Sequence, residues 1–267
     1  MIKRKIVMKI FNLYLFLIFG IIDVALASAH HKGTISSINI GTRFSSVLQK
    51  RGVIFYKDYQ FDPVLAVFLF DDRLEYLGDS IGYRDFIFED KIRLRSRLVS
   101  ISDNPLFPAH RSIINSSPKR KDTYEWSQSL EIFLPGYNKN YQSEIDLTFS
   151  KDLSQHHGHY VEVLGKLKLG SFRILETELE PNLFSSLGWG DRLHNQYFYG
   201  DDIKASGINN WSKGLWIALP EEADRFYPII QLNHFQTIGS FHKGRYAQGR
   251  SQGLLISFIA TLGLLDK

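Results

Sequence analysis

The chain contains no cysteine, which excludes disulfides, thiolate nucleophiles and Cys-ligated metal sites, although an exported protein could have carried bridges. It also lacks a net charge worth the name. The formal +4 includes Lys3, Arg4, Lys5 and Lys9 at the very start, and the remainder is close to neutral, so a nucleic-acid partner has no electrostatic basis. After residue 26 no apolar run approaches the roughly 20 residues of a spanning helix. If the rest of the chain lies in a membrane, only a closed barrel remains, because lipid leaves any unpaired backbone amide unsatisfied.

What is present begins with a leader. The four basic residues precede an apolar run from Ile10 to Ile22, and small residues at Ala25, Ala27 and Ala29 give two overlapping A-x-A patterns. This is the layout of a secretory signal, with cutting after Ala27 or Ala29. Residues 1–29 are expected to be the signal and 30–267 a single domain. An uncleaved anchor is the rival reading, and Asp23 near the end of the run speaks against it.

The strand pattern is clearest from Lys91 to Leu98, where Lys91, Arg93, Arg95 and Arg97 alternate with Ile92, Leu94, Ser96 and Leu98. Four cations on one face do not fit a dry core, whereas a watery lumen accepts them. Glu144 to Ser150 repeats the period with an acidic polar face, and Val161 to Leu169 sets Glu162, Lys166 and Lys168 against apolar partners. Opposite charges on such strands predict cross-strand pairs inside a lumen. Further strands are expected over Gly33–Thr42, Pro63–Phe70, Asp85–Phe88, Glu125–Leu134, Arg173–Leu179, Gly214–Leu219, Phe226–Leu232 and Leu254–Leu265. Val64 to Phe70 is apolar on both faces, as a plugged part of an interior would be. Pro135-Gly136-Tyr137-Asn138 and Gly188-Trp189-Gly190-Asp191 read as compact turns, and Ser102 to Thr123 as one long polar loop carrying Lys119-Arg120-Lys121. Short turns alternating with long loops, 14% aromatics and 20 glycines predict an all-β fold, an antiparallel transmembrane β-barrel of roughly 10–12 strands.

Several segments resemble a known family. Ser150 to Tyr160 (SKDLSQHHGHY), Glu180-Pro181-Asn182-Leu183, the Trp189-Gly190-Asp191 turn, Asn195-Gln196-Tyr197-Phe198-Tyr199-Gly200 and Tyr76-Leu77-Gly78-Asp79-Ser80 resemble elements of the MltA-interacting protein (MipA/OmpV) family. The chain departs from that pattern at Asp201-Asp202-Ile203 and in ending Leu264-Leu265-Asp266-Lys267 rather than on an aromatic. The resemblance implies an outer-membrane barrel that scaffolds peptidoglycan-remodelling enzymes, with a lytic transglycosylase and a penicillin-binding protein as partners beside the outer-membrane lipid. It implies no catalytic residue and no cofactor.

Three constellations could carry chemistry. His156, His157 and His159 with Asp152 could converge on zinc or copper, against the simpler reading of a solvated turn, so no metal is expected. His194 with Asn195, His234 and Ser185 contain the residue types of a lipid hydrolase but come without a nucleophile-elbow motif, and no enzyme is expected. The row Lys91, Arg93, Arg95, Arg97 could select anions in a pore, or be a lumen wall neutralised by Glu144, Asp146 and Glu162, which is the preferred reading. Tyr197, Phe198, Tyr199, Trp211 and Trp216 are expected to form an interfacial aromatic girdle or a patch for a protein partner. A porin-like channel is the alternative to the scaffold.

Overall fold

The structure is a computed structural model that describes residues 35–46, 48–51, 53–56, 60–88, 91–101, 122–135, 142–174, 177–218, 226–247 and 252–265. The leader and most of the Ser102 to Thr123 loop lie outside the described residues, as does 136–141. Fifteen strands run in chain order, β1 (Ile35–Ser45), β2 (Leu48–Lys50), β3 (Val53–Tyr56), β4 (Gln60–Leu69), β5 (Leu74–Tyr76), β6 (Ser80–Phe88), β7 (Ile92–Ile101), β8 (Thr123–Pro135), β9 (Gln142–Asp152), β10 (His159–Lys168), β11 (Phe172–Ile174), β12 (Thr177–Gly190), β13 (Gly207–Ala218), β14 (Phe226–Thr237) and β15 (Gln252–Leu265). Among the described residues one α-helix, α1 (Arg192–Tyr199), and a 3-10 turn at Gly239–Lys243 complete them. Each strand pairs antiparallel with its neighbour, β15 returns to β1, and β10 pairs with β12, so twelve strands close a barrel. β11 forms only a side hairpin on β12. β2 and β3 form a separate hairpin.

The alternation that defines the strands is inverted relative to a soluble protein. Along β8, Glu125, Ser127, Ser129 and Glu131 are buried while Tyr124 and Trp126 are exposed. Along β9, Ile145, Leu147 and Phe149 face out, as do Leu183 and Leu187 on β12, and Leu254, Ile256 and Phe258 on β15. Each large apolar side chain left in water forgoes about 1.5–3 kcal/mol of burial, so a belt of them around a polar interior is stable only against lipid. The protein is a closed transmembrane β-barrel. A small apolar cluster, Ile38 and Val67 with Ile40, Leu65, Leu69 and Tyr76, packs β1 against β4 and β5 on the outward register, Ile40 lying opposite Leu262 and Tyr76 opposite the exposed Ile81. The other face of the apolar run of β4 turns to the lumen, where Phe68 lies opposite Glu75 and under the Arg84 guanidinium.

The strand register sorts the connections into two ends. One end carries the turn at 70–73, with Ile35, Phe88, Lys91 and Leu265. The other carries the β2–β3 hairpin, the 153–158 turn, α1 and the Gly239–Lys243 turn, with Ile101 and Thr123.

Two expectations are corrected. Arg173–Leu179 is not one strand: β11 ends at Ile174, and β12 runs from Thr177 to Gly190 through Pro181. The proline is tolerated because β10 stops pairing at Lys168, opposite Asn182. Leu169 donates to the Pro181 carbonyl just beyond, so the absent N–H falls where the ladder ends. Likewise Gly188-Trp189-Gly190 is not a turn but the last stretch of β12, and Asp191 starts a helix.

Candidate functional site at the loop end of the barrel

α1 forms because Asp191 is extended and caps it, its carboxylate accepting from the His194 N–H at 2.9 Å. The same carboxylate accepts from the His159 N–H at 2.9 Å and lies 2.9 Å from His159 Nδ1. Burial alone would raise the Asp191 carboxyl, but these N–H contacts hold it below its ordinary range. The helix carries its buried residues on one stripe, His194, Asn195, Phe198 and Tyr199, and that stripe faces into the barrel.

The stripe meets the lumen through a chain of hydrogen bonds. Asn195 Nδ2 donates to the carbonyls of Gly190 (2.8 Å) and Ala205 (2.9 Å), and its Oδ1 accepts from Asn209 Nδ2 at 2.7 Å. Asn210 Nδ2 donates to Asn209 Oδ1 at 2.6 Å and to the Tyr160 hydroxyl at 3.0 Å, and Tyr160 donates to Glu162 at 3.1 Å. Gly188 leaves room for this contact, since a Cβ there would lie 2.0 Å from the Tyr160 hydroxyl oxygen. His194 stacks between Tyr160 and Phe198, with ring centroids 4.8 and 4.5 Å apart. Neither of its ring nitrogens has a hydrogen-bond partner among the described residues. Burial, reinforced by Arg51 and His156, pushes its pKa well below the ordinary histidine value, so the ring is neutral.

Arg51, at the tip of the β2–β3 hairpin, enters from above. Its Nη2 lies 2.8 Å from Glu125 Oε2 and its Nη1 3.4 Å from Glu162 Oε2, with the guanidinium 3.6 Å from the Tyr160 ring centroid. Tyr199 donates its hydroxyl proton to the Arg51 carbonyl at 2.6 Å. Burial works against the charge, but Glu125, Tyr160 and Glu162 outweigh it and keep the guanidinium protonated. The hairpin, α1, β8, β10 and β13 are thus tied together at one buried arginine. Below it lies a cavity of about 430 Å³, reaching down to Lys166, Phe184, Trp216 and Asn233.

Further down, Arg93, Arg95 and Arg97 point inward, with Leu94 and Leu98 on the lipid side, and Lys91 sits exposed at the short-turn end. Arg93 and Arg95 pair with Glu131, and Arg95 also with Glu75 at 3.2 Å. Arg93 and Arg95 are neutralised by Glu131 and Glu75 rather than by the expected acids, while Arg97 feels Glu75, Asp146 and Glu131 at longer range. Glu144 instead takes Lys166 at 2.6 Å, and Glu162 takes Arg51. Glu75 lies on the three-residue strand β5, too short to show a period, and Glu131 lies one strand from the arginines in perfect register, Arg93 opposite Glu131.

The aromatic set divides. Phe198 and Tyr199 are fully buried, so the Tyr197–Tyr199 run is no lipid-facing girdle; a helix, not a strand, carries it into the mouth. Trp211 alone of the five faces lipid, paired with Leu187 and donating to Ser185 at 3.0 Å. Trp216 shares the lumen side with Phe184, 6.1 Å away. The histidine triplet also diverges: His157 is exposed, His159 joins Asp191, and only His156 turns inward. There it comes near Glu125 and His194, the ligand atoms of the three lying within 4.8 Å of one another. His156 Nδ1 accepts from the Gly158 N–H at 3.0 Å, which leaves its proton on Nε2 beside Asp152, 3.4 Å away. The trio seats α1 against β8, with the Glu125 carboxylate held by Arg51. His194, His234 and Ser185 do not meet: His194 is in the mouth, while His234 and Ser185 lie in the outward register of β14 and β12.

The fold and the site define a class, a twelve-stranded transmembrane barrel with an ion-paired lumen and a capped loop end. No model of a known protein family matches the chain, and no curated protein matches it in sequence. Among solved structures it is similar to the NanC porin in a rhombohedral crystal form, at TM-score 0.42 and 11% identity over 86% of this chain and 100% of that one. It is also similar to the COG4313 outer membrane channel from Pseudomonas putida F1, at TM-score 0.41 and 6% identity over 86% and 96%. OpdQ of Pseudomonas aeruginosa follows at TM-score 0.31 and 10% identity over 87% and 98%. Likeness at this level does not reach shared function.

Proposed function

We propose that the chain is a non-enzymatic outer-membrane barrel that admits a small polar solute into its lumen, through a mouth that Arg51 and α1 hold shut in this state. Long connections mark the outer end of such barrels, which puts the capped mouth outside the cell. The observation that carries the reading is the cavity of about 430 Å³ lined by Arg51, with charged, amide and aromatic side chains around it. An inert wall has no need of such a space, and tight packing would fill it. The test is conductance of the purified barrel in planar bilayers. Wild type should pass little current, and Arg51→Ala should pass several times more, because removing one side chain unties the hairpin from β8 and β10. Equal, negligible current in both would overturn the pathway.

That outcome would favour the second reading, a scaffold for a lytic transglycosylase and a penicillin-binding protein. The resemblance to the MltA-interacting protein family suggests it, and the ion-paired lumen with Arg51 tied across its mouth supports it, since a barrel that does not conduct acts through its surfaces. Retention of a purified lytic transglycosylase on the immobilised barrel is the corresponding measurement.

A further inference from the structure

We infer that the lumen cavity is a binding site for a neutral sugar of one or two rings, an inference that rests on reading the lumen as a solute pathway. Its size, about 430 Å³, lies at the small end of ligand sites, which run from roughly 300 to 1,000 Å³. Its charged lining cancels: Arg51 and Lys166 against Asp79 and Glu162. The cations are moreover already committed, Arg51 to Glu125 and Glu162 and Lys166 to Glu144. No free cation remains to hold an anion, so recognition falls to hydrogen bonds and shape.

The remaining lining supplies both. On one side Trp216 and Phe184 stand 6.1 Å apart at 36°, offering flat apolar faces of the kind against which the C–H side of a pyranose packs. On the other, Asn210, Asn233, Gln231 and Ser186 present amides and hydroxyls, which can each donate and accept, as a ring of sugar hydroxyls requires. Asn233 is 7% exposed, and its Oδ1 has no hydrogen-bond partner among the described residues. A buried acceptor left unmet costs about 1–3 kcal/mol, and a hydroxyl in the cavity would satisfy it. Asn233 lies two residues from Gln231 on the inward face of β14, and Gln231 is paired with Trp216 of the same cavity on β13. The amide pair and the indole therefore address one ligand from two strands.

The experiment is calorimetric titration of maltose, glucose and inorganic phosphate into the wild-type barrel in detergent micelles, repeated with Asn233→Leu and Trp216→Leu. Variants are accepted only when their heat-modifiable gel migration matches wild type. Expected is saturable heat from maltose or glucose, none from phosphate, and about tenfold weaker sugar binding in each variant, as loss of one buried hydrogen bond or stacking contact predicts. Absence of saturable heat from either sugar, saturation by phosphate instead, or sugar binding unchanged in both variants would each overturn the inference. Current through Arg51→Ala without sugar heat sinks this inference and leaves the pathway standing. Sugar heat without current in either protein does the reverse.

Discussion

Arg51 concentrates more of the mouth's energetics than any neighbour, because it is a buried cation shared by two carboxylates on different strands. Removing it leaves Glu125, whose side chain is 2% exposed, as a charge without a partner, and breaking such a pair costs about 3–5 kcal/mol. Glu162, 29% exposed, recovers part of its loss from water. Arg51→Met should therefore lower the urea midpoint of the micelle-folded barrel, and the double variant Arg51→Met with Glu125→Gln should recover much of it, since the stranded charge is gone. A midpoint unchanged in the single variant would show that the hairpin tip does not enter the lumen. His194 gives a pH dependence. It is neutral in the fold and faces Arg51 on the hairpin, His156 on the 153–158 turn, and Glu125 and Tyr160 on the strands. Its folded pKa is depressed, so the unfolded chain binds the extra proton first. The contribution is whole above the unfolded value, about 6.5, and is lost as pH falls below it. Unfolding of wild type at pH 7.5 and 5.5 should show a falling midpoint, and His194→Leu should flatten that fall. An equal fall in both proteins would assign the pH dependence elsewhere.

At the scale of elements, α1 shows what the sequence concealed and why. Tyr197 to Tyr199 read as an interfacial aromatic girdle or partner patch because of their composition, and eight residues give too few turns for a helical period to show. The legible signal was local: Asp191 directly after Gly190, followed by burial at His194, Asn195, Phe198 and Tyr199, the i, i+1, i+4, i+5 spacing of a helix. The cap predicts a graded result. Asp191→Ala should cost about 0.5–2 kcal/mol from the cap, together with its contacts to His159, whereas Asp191→Asn keeps an acceptor and should fall between. Urea unfolding of the three proteins checks the order, and a penalty for Asn as large as for Ala would make the charge, not the cap, decisive. β12 was hidden differently. Pro181 and the Gly188–Gly190 pair look like strand breakers, and only the register with β10 shows that the proline lies past the ladder's end and that Gly188 accommodates Tyr160. By contrast β7, β9 and β10 were legible because each alternates without exception or nearly so, and alternation survives whatever the strand pairs with. Which acid meets which arginine was not legible, since that depends on pairing order: Glu131 and Glu75 reach the β7 row from β8 and β5, while Glu144, Asp146 and Glu162 face other strands.

For the whole molecule, the inverted burial decides where it can fold. The polar interior is held by ion pairs between neighbouring strands, from Arg93–Glu131 through Lys166–Glu144 to Lys168–Glu180, while the exterior is mostly apolar, with Leu94, Leu98, Leu147, Phe149, Leu183, Leu187, Ile256 and Phe258 exposed on it. Successive residues of one strand therefore experience opposite solvents, and an added cation should cost more on the outer face than on the inner one. Leu147, at the centre of β9, is exposed on the outer belt; Thr148 beside it faces the lumen, bonded to Ser129 at 2.7 Å and to Asp146 at 3.0 Å. Leu147→Arg should cost about 2–4 kcal/mol in a bilayer, the penalty of a cation at mid-membrane depth. Thr148→Lys places its ammonium beside Asp146 and near Glu131, loses two hydrogen bonds, and should cost no more than about 1–2 kcal/mol. Folding both variants into lipid vesicles and comparing urea midpoints distinguishes a membrane barrel from a water-soluble one. In a soluble barrel of the same topology the order reverses, because an arginine on the outside would then be solvated and a lysine inside would be the buried charge.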